Sequence, residues 1–133
     1  MDRGSDLTAA TLKIFHHHLY ELAKGLRPLA MMTLSTEEAG AIVTELVGAA
    51  TPHHVQRACR DKVNVVFGRP AAVATAQRLL ERRLCDLTDE QDFMLGILLG
   101  YDREQQCLRY LARTEAAALR PADPVEVPIG VLH

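Results

Sequence analysis

The sequence contains no tryptophan, and aromatic residues make up only 5% of it. That scarcity argues against an aromatic stacking platform for single-stranded nucleic acid. Three cysteines, with no CxxC spacing among them, cannot form a paired disulfide framework, a zinc ribbon or a thioredoxin-like motif. The longest apolar block, Phe93 to Leu99, falls far short of the ~18–20 residues of a membrane span. The opening MDRGSDLTAATLKIF carries acids and lacks the apolar stretch and cleavage site of a secretory leader. GxSxG, HExxH, a glycine-rich phosphate cradle and a paired-carboxylate arrangement are all missing. Together these absences lead us to expect a reduced, cytoplasmic protein without catalytic activity, membrane span, nucleic-acid partner or cofactor.

At 133 residues and 48% hydrophobic content, the chain can bury one core. The run LTDEQDFMLGILLGYDREQQCLRYL, Leu87 to Leu111, carries two helix starts. Thr88 with Gln91 has capping-box spacing, and Asp89, Glu90 and Asp92 place negative charge at the positive end of a helix dipole. Apolar residues then surround the helix, which predicts burial on most sides, until Gly100 ends it. Asp102 with Gln105 starts the next helix, where Cys107 aligns with Leu108 and Leu111 as a small core residue.

Upstream, Ile14, Phe15, Leu19, Leu22 and Leu26 recur at helical spacing from Thr11 to about Gly25. A hairpin turning at Lys24-Gly25 is the rival reading. Pro28 to Leu34 reads as a buried strand. Ser35 with Glu38 opens an amphipathic helix through Ala39, Ile42, Val43, Leu46 and Val47. His53–Cys59 and Lys62–Gly68 read as strands joined through Arg60-Asp61, and Pro70 opens another helix. The domain organisation predicted is a flexible arm at 1–10, one α+β domain at 11–118 and a proline-bearing extended tail at 119–133. A βαββα core with extra helices, three strands and five helices in all, is an incomplete ferredoxin-like sandwich. Its missing fourth strand leaves an edge that a helix, a tail or a second subunit would cover, so a homodimer is expected.

Two clusters carry candidate function. Arg57, Arg60, Lys62, Arg69, Arg78, Arg82 and Arg83 oppose only Asp61 and Glu81, giving the middle of the chain +5 while the remainder carries −7. Such a field suits an acidic protein partner, with Tyr101 at the helix corner as an added contact. The bland alternative is a solvated surface. His16, His17 and His18 point about 100° apart on a helix and cannot converge on one ion. His17 with Glu21, at i and i+4, is the only pair with ligand geometry, and His53 or His54 would have to complete it; His18 is the other histidine that could serve beside Glu21. A metal- or haem-binding protein using that histidine cluster is therefore the alternative function.

HHLYELAKGLRPLAMMTL (His17 to Leu34), KVNVVFG (Lys62 to Gly68) and DFMLGILLGYDREQQCLRYL (Asp92 to Leu111) resemble a family of short bacterial proteins catalogued as a domain of unknown function. The resemblance implies three strands, five helices and a homodimer, and it brings no catalytic residues. It also implies a gene setting beside flavodoxins in iron-limited bacteria, which would make the acidic partner a flavodoxin-type redox protein. The longer tail and the additional His16 depart from the family pattern.

Overall fold

A computed structural model describes residues 3–58 and 60–119. Helix α1 (Arg3–Ala23) leads into β1 (Leu29–Ser35), α2 (Thr36–Gly48), β2 (His53–Arg57) and β3 (Lys62–Gly68). Then follow α3 (Pro70–Leu79), a 3₁₀ turn (Leu84–Asp86), α4 (Asp89–Leu98) and α5 (Arg103–Leu119). Among the described residues this is an α+β chain of five α-helices and one three-stranded antiparallel sheet, ordered β1-β3-β2.

Alternation along the strands divides the core into two layers. Ala30, Met32 and Leu34 share a sheet face with Val65 and Phe67, and they pack on Phe15 of α1 and on Ala39, Ile42 and Leu46 of α2. The Phe15 and Phe67 rings meet with centroids 5.2 Å apart. The opposite face, bearing Leu29 and Val66, packs on Ala72, Val73, Ala76 and Leu79 of α3 and on Leu95 and Leu99 at α4. The strand order suits the expected βαββ unit. The ferredoxin-like expectation needs correction in its layering, because α2 and α3 lie on opposite faces of the sheet. Val66 and Leu29 make the second face apolar too, and an apolar face must be covered.

Helix starts follow the capping signals. Ser35 Oγ accepts from the Glu38 backbone N–H at 3.1 Å, and Glu38 returns the bond to the Ser35 N–H at 3.2 Å. Thr88 and Gln91 make the same reciprocal pair at α4. Asp102 accepts from the Gln105 N–H at 2.9 Å ahead of α5. At Lys24-Gly25 the chain leaves a helix rather than turning a hairpin, with Gly25 at φ +73°.

Other boundaries shift. Helix α1 runs through 3–10, where an arm was expected. The expected start was Thr11, because the apolar periodicity is readable only from there. The Thr11 hydroxyl bonds Glu38 across to α2, and hydrogen bonds from Thr11 and Ser35 hold the Glu38 carboxyl below the usual carboxylate range. Strand β2 stops at Arg57, and the expected strand end at Cys59 lies outside the described residues, as does the expected tail from 120 to 133.

Helix α4 is buried on one side only. Leu95 and Leu99 are enclosed, Phe93, Ile97 and Leu98 are half-buried, and Met94 is 45% exposed. The apolar ring around α4 therefore serves two surfaces, one inside the core and one outside it. Cys107, expected in the core, is exposed on α5. We predict that Leu99→Ala costs about 2–5 kcal/mol, because it opens a cavity in the core. Met94→Ala should cost under about 0.5 kcal/mol, as exposed substitutions usually do. Urea melts of the two variants check the contrast, and equal losses would contradict the one-sided burial of α4.

Candidate functional site

Register places Thr33, Asn64 and Gln56 side by side across the three strands, as paired positions on the second face of the sheet. Asn64 is 2% exposed and central. Thr33 Oγ1 donates to Asn64 Oδ1 at 2.7 Å, and Asn64 Nδ2 donates to Gln56 Oε1 at 3.1 Å. Gln56 Nε2 then donates to the Leu80 carbonyl at 2.7 Å and the Arg82 carbonyl at 2.8 Å. A buried amide is tolerated only when its donors and acceptors are satisfied, and this chain of bonds does that. The same bonds fix the chain leaving α3 against the hairpin.

Beside this polar row lies a cavity of about 260 Å³, walled by Arg57, Lys62, Arg83, Leu84 and Cys85 together with the row itself. Arg60, at φ +59°, forms the turn joining β2 to β3, closed by a bond from Ala58 N–H to the Lys62 carbonyl at 2.9 Å. Five of the seven predicted cations, Arg57, Arg60, Lys62, Arg82 and Arg83, thus gather at one end of the sheet, all exposed. Arg83 also pairs with Asp86 at 2.9 Å. Arg78 is exposed on the last turn of α3. Arg69 falls at the other end of β3, where its N–H donates to the Pro28 carbonyl at 3.0 Å. Nothing places it with the hairpin cations.

Tyr101, half-exposed, lines a second cavity of about 470 Å³ between the sheet, α4 and α5. Leu84 and Cys85 line both cavities, so the 3₁₀ turn forms a wall shared between them. The partnership of Thr33, Asn64 and Gln56 depends on strand register, which the sequence does not display. Their only signal was polarity at alternating positions.

The histidines make local bonds instead of converging. His16 faces Glu45 at 3.7 Å, and His17 faces Glu21 at 3.6 Å. Arg27 donates to His18 Nδ1 and, at 3.0 Å, to Glu21. A guanidinium therefore occupies the space where a cation shared by His18 and Glu21 would sit. His53 Nδ1 lies 2.9 Å from the Thr51 carbonyl. Among the described residues, no group of three or more His, Cys, Asp or Glu side chains is placed to hold a metal ion.

Burial, reinforced by Arg27, pushes the His18 pKa below 6.5. A histidine depressed in the folded state favours the neutral ring, so its contribution to stability is complete above the unfolded pKa of about 6.5 and is lost as pH falls through the folded value. Melting temperature should therefore decline from about pH 6.5 downward, before carboxylates titrate. His18→Gln, which keeps an acceptor for Arg27, should flatten that decline. An unchanged slope in the variant would remove His18 as its source.

The fold and the hairpin end define an α+β domain with a basic, concave polar rim. Residues 13–113 match the family described as a protein of unknown function (DUF2023), and the chain belongs to that family. No curated protein matches it. No helix among the described residues is long and apolar enough to cross a membrane.

Proposed function

We propose that this chain is a cytoplasmic, non-enzymatic accessory protein that docks an acidic redox partner of the flavodoxin type under iron limitation. The observation that carries this reading is the gathering of Arg57, Arg60, Lys62, Arg82 and Arg83 at the hairpin end of the sheet. A rim of cations steers an acidic surface during encounter, and the cavity beside it gives that surface something to fit. The neighbouring apolar wall of Leu84 can exclude water from the contact.

Charge steering predicts a rate effect first. Binding of a purified flavodoxin, followed by stopped flow, should slow as salt rises and the Debye length shrinks from ~10 Å. Reversing the exposed pair, Arg60→Glu with Lys62→Glu, should lower the association rate by about tenfold or more, within the range that steering supplies. The melting temperature should hold, because neither side chain enters the core. Binding indifferent to both salt and charge reversal would sink the reading.

We further propose a two-fold homodimer through the outer edge of β2. This strand is five residues long, ends the sheet order and leaves Val55 41% exposed. An unpaired edge is a template for another strand. Antiparallel pairing of two β2 edges places the basic hairpin ends at opposite sides of the joint, which keeps their like charges apart. Light scattering should give twice 14.7 kDa, and Val55→Lys should return the mass to one chain. A single-chain mass for the unaltered protein at micromolar concentration would overturn this.

A further inference from the structure

The outer side of α4 carries a surface that the proposed function does not use. Phe93, Met94, Ile97 and Leu98 line a shallow groove against Thr75 of α3. Phe93 and Met94 continue into a second groove, of about 460 Å³, with Cys107, Tyr110 and Leu111 of α5. The two share residues and form one apolar trough. Met94 at 45% and Leu111 at 52% exposure leave large apolar groups in water.

The chain itself holds a segment suited to cover it. Fourteen residues follow Leu119, and within them Val125, Val127, Ile129 and Val131 alternate with Glu126, Pro128 and Gly130. Period-two alternation in an extended backbone gives one apolar edge and one polar edge. Pro121, Pro124 and Pro128 disfavour helix there. The distances agree. Leu119 lies eight residues beyond Leu111 on α5, about 12 Å along the axis. Residues 120–124, extended, span up to about 17 Å, enough to return to the trough. Val125–Leu132 then covers about 26 Å, longer than the about 15 Å of α4. Tethering gives the segment an effective concentration of ~mM, which a second copy at micromolar concentration does not match.

We propose that the trough over α4 and α5 is the docking site of the chain's own C-terminal segment, Val125–Leu132, lying in it in extended form. The segment covers Cys107 and Met94 and leaves the hairpin end untouched.

Cysteine reactivity reads this directly. Cys107 lines the trough, whereas Cys85 lies exposed outside it and serves as the internal reference. The full chain and its Val127→Asp, Ile129→Asp variant are labelled with a thiol reagent, and the rates are resolved peptide by peptide. Cys107 should react about tenfold more slowly in the unaltered chain than in the variant, as a tethered segment with ~0.1 mM intrinsic affinity would produce. Cys85 should react equally in both. Met94→Lys, an exposed change within the trough, should release Cys107 in the same way. The protection should also persist between about 1 and 100 µM protein. Equal Cys107 rates in the unaltered chain and the tail variant overturn the proposal. Protection lost on dilution does so too, since it assigns the trough to a second copy.

Discussion

Arg27 is the point on which the two halves of the structure close. It sits between α1 and β1 with its side chain only 13% exposed. Its guanidinium donates to Glu21 and His18 on α1, and at 3.3 Å to the Leu99 carbonyl at the end of α4. Helix α1 covers one face of the sheet and α4 the other, so one side chain binds the two layers to each other. A buried cation is expensive unless paired, and Glu21 supplies the pair while the Leu99 carbonyl lies at the negative end of a helix dipole. His18 Nδ1 adds a further acceptor, while the buried Arg27 Nε is left without a hydrogen-bond partner among the described residues. Arg27 also explains Gly100. A Cβ there would lie 2.6 Å from Arg27 Cβ, and φ is +78°, so both space and backbone demand glycine.

The polar row works at the opposite end of the sheet. Thr33, Asn64 and Gln56 bond only when the three strands are in their observed register, and a slip of one residue would turn each to the other face. Gln56 then occupies two carbonyls of the chain leaving α3, groups that a helix end otherwise exposes. That attachment brings Arg82 and Arg83 alongside Arg57 and Lys62. Register, helix termination and the gathering of cations are thus one constraint, and the cavity beside the row follows from it.

Much of this was legible in the sequence. The reciprocal caps at Ser35/Glu38 and Thr88/Gln91 sit where spacing predicted them, since such motifs need only local chemistry. All three strands and five helices were readable from periodicity. What periodicity misses is allocation to layers. Val66 and Val65 are both fully buried, on opposite faces, and no one-dimensional pattern tells which helix covers which. The ferredoxin-like layering failed for that reason. Burial of α4 on most sides failed because an apolar ring around a helix does not tell which side faces the core and which faces solvent. Among the cations, five gather as charge counting suggested, while Arg69 is carried to the far end of β3 by strand length alone.

The acids at the start of α4 show how one residue answers two demands. Asp89, Glu90 and Asp92 oppose the helix dipole, as their positions imply. They also hold α5: Arg113 pairs with Asp89 at 2.9 Å, Arg109 with Asp92 at 2.9 Å, and Tyr110 donates to Glu90 at 2.8 Å. The Arg109 bond keeps the Asp92 carboxyl below its ordinary range. Exposed pairs of this kind contribute only ~0–1 kcal/mol each. No side chain of α5 is buried among the described residues. Helix α5 is therefore held on α4 by these polar contacts and by the Tyr110 ring against Phe93, centroids 5.7 Å apart, a small attachment of the kind that opens at low cost. Covering Leu111 and Met94 would add to the small apolar contact that Tyr110 makes with Phe93, so occupancy of the trough and anchoring of the helix are coupled.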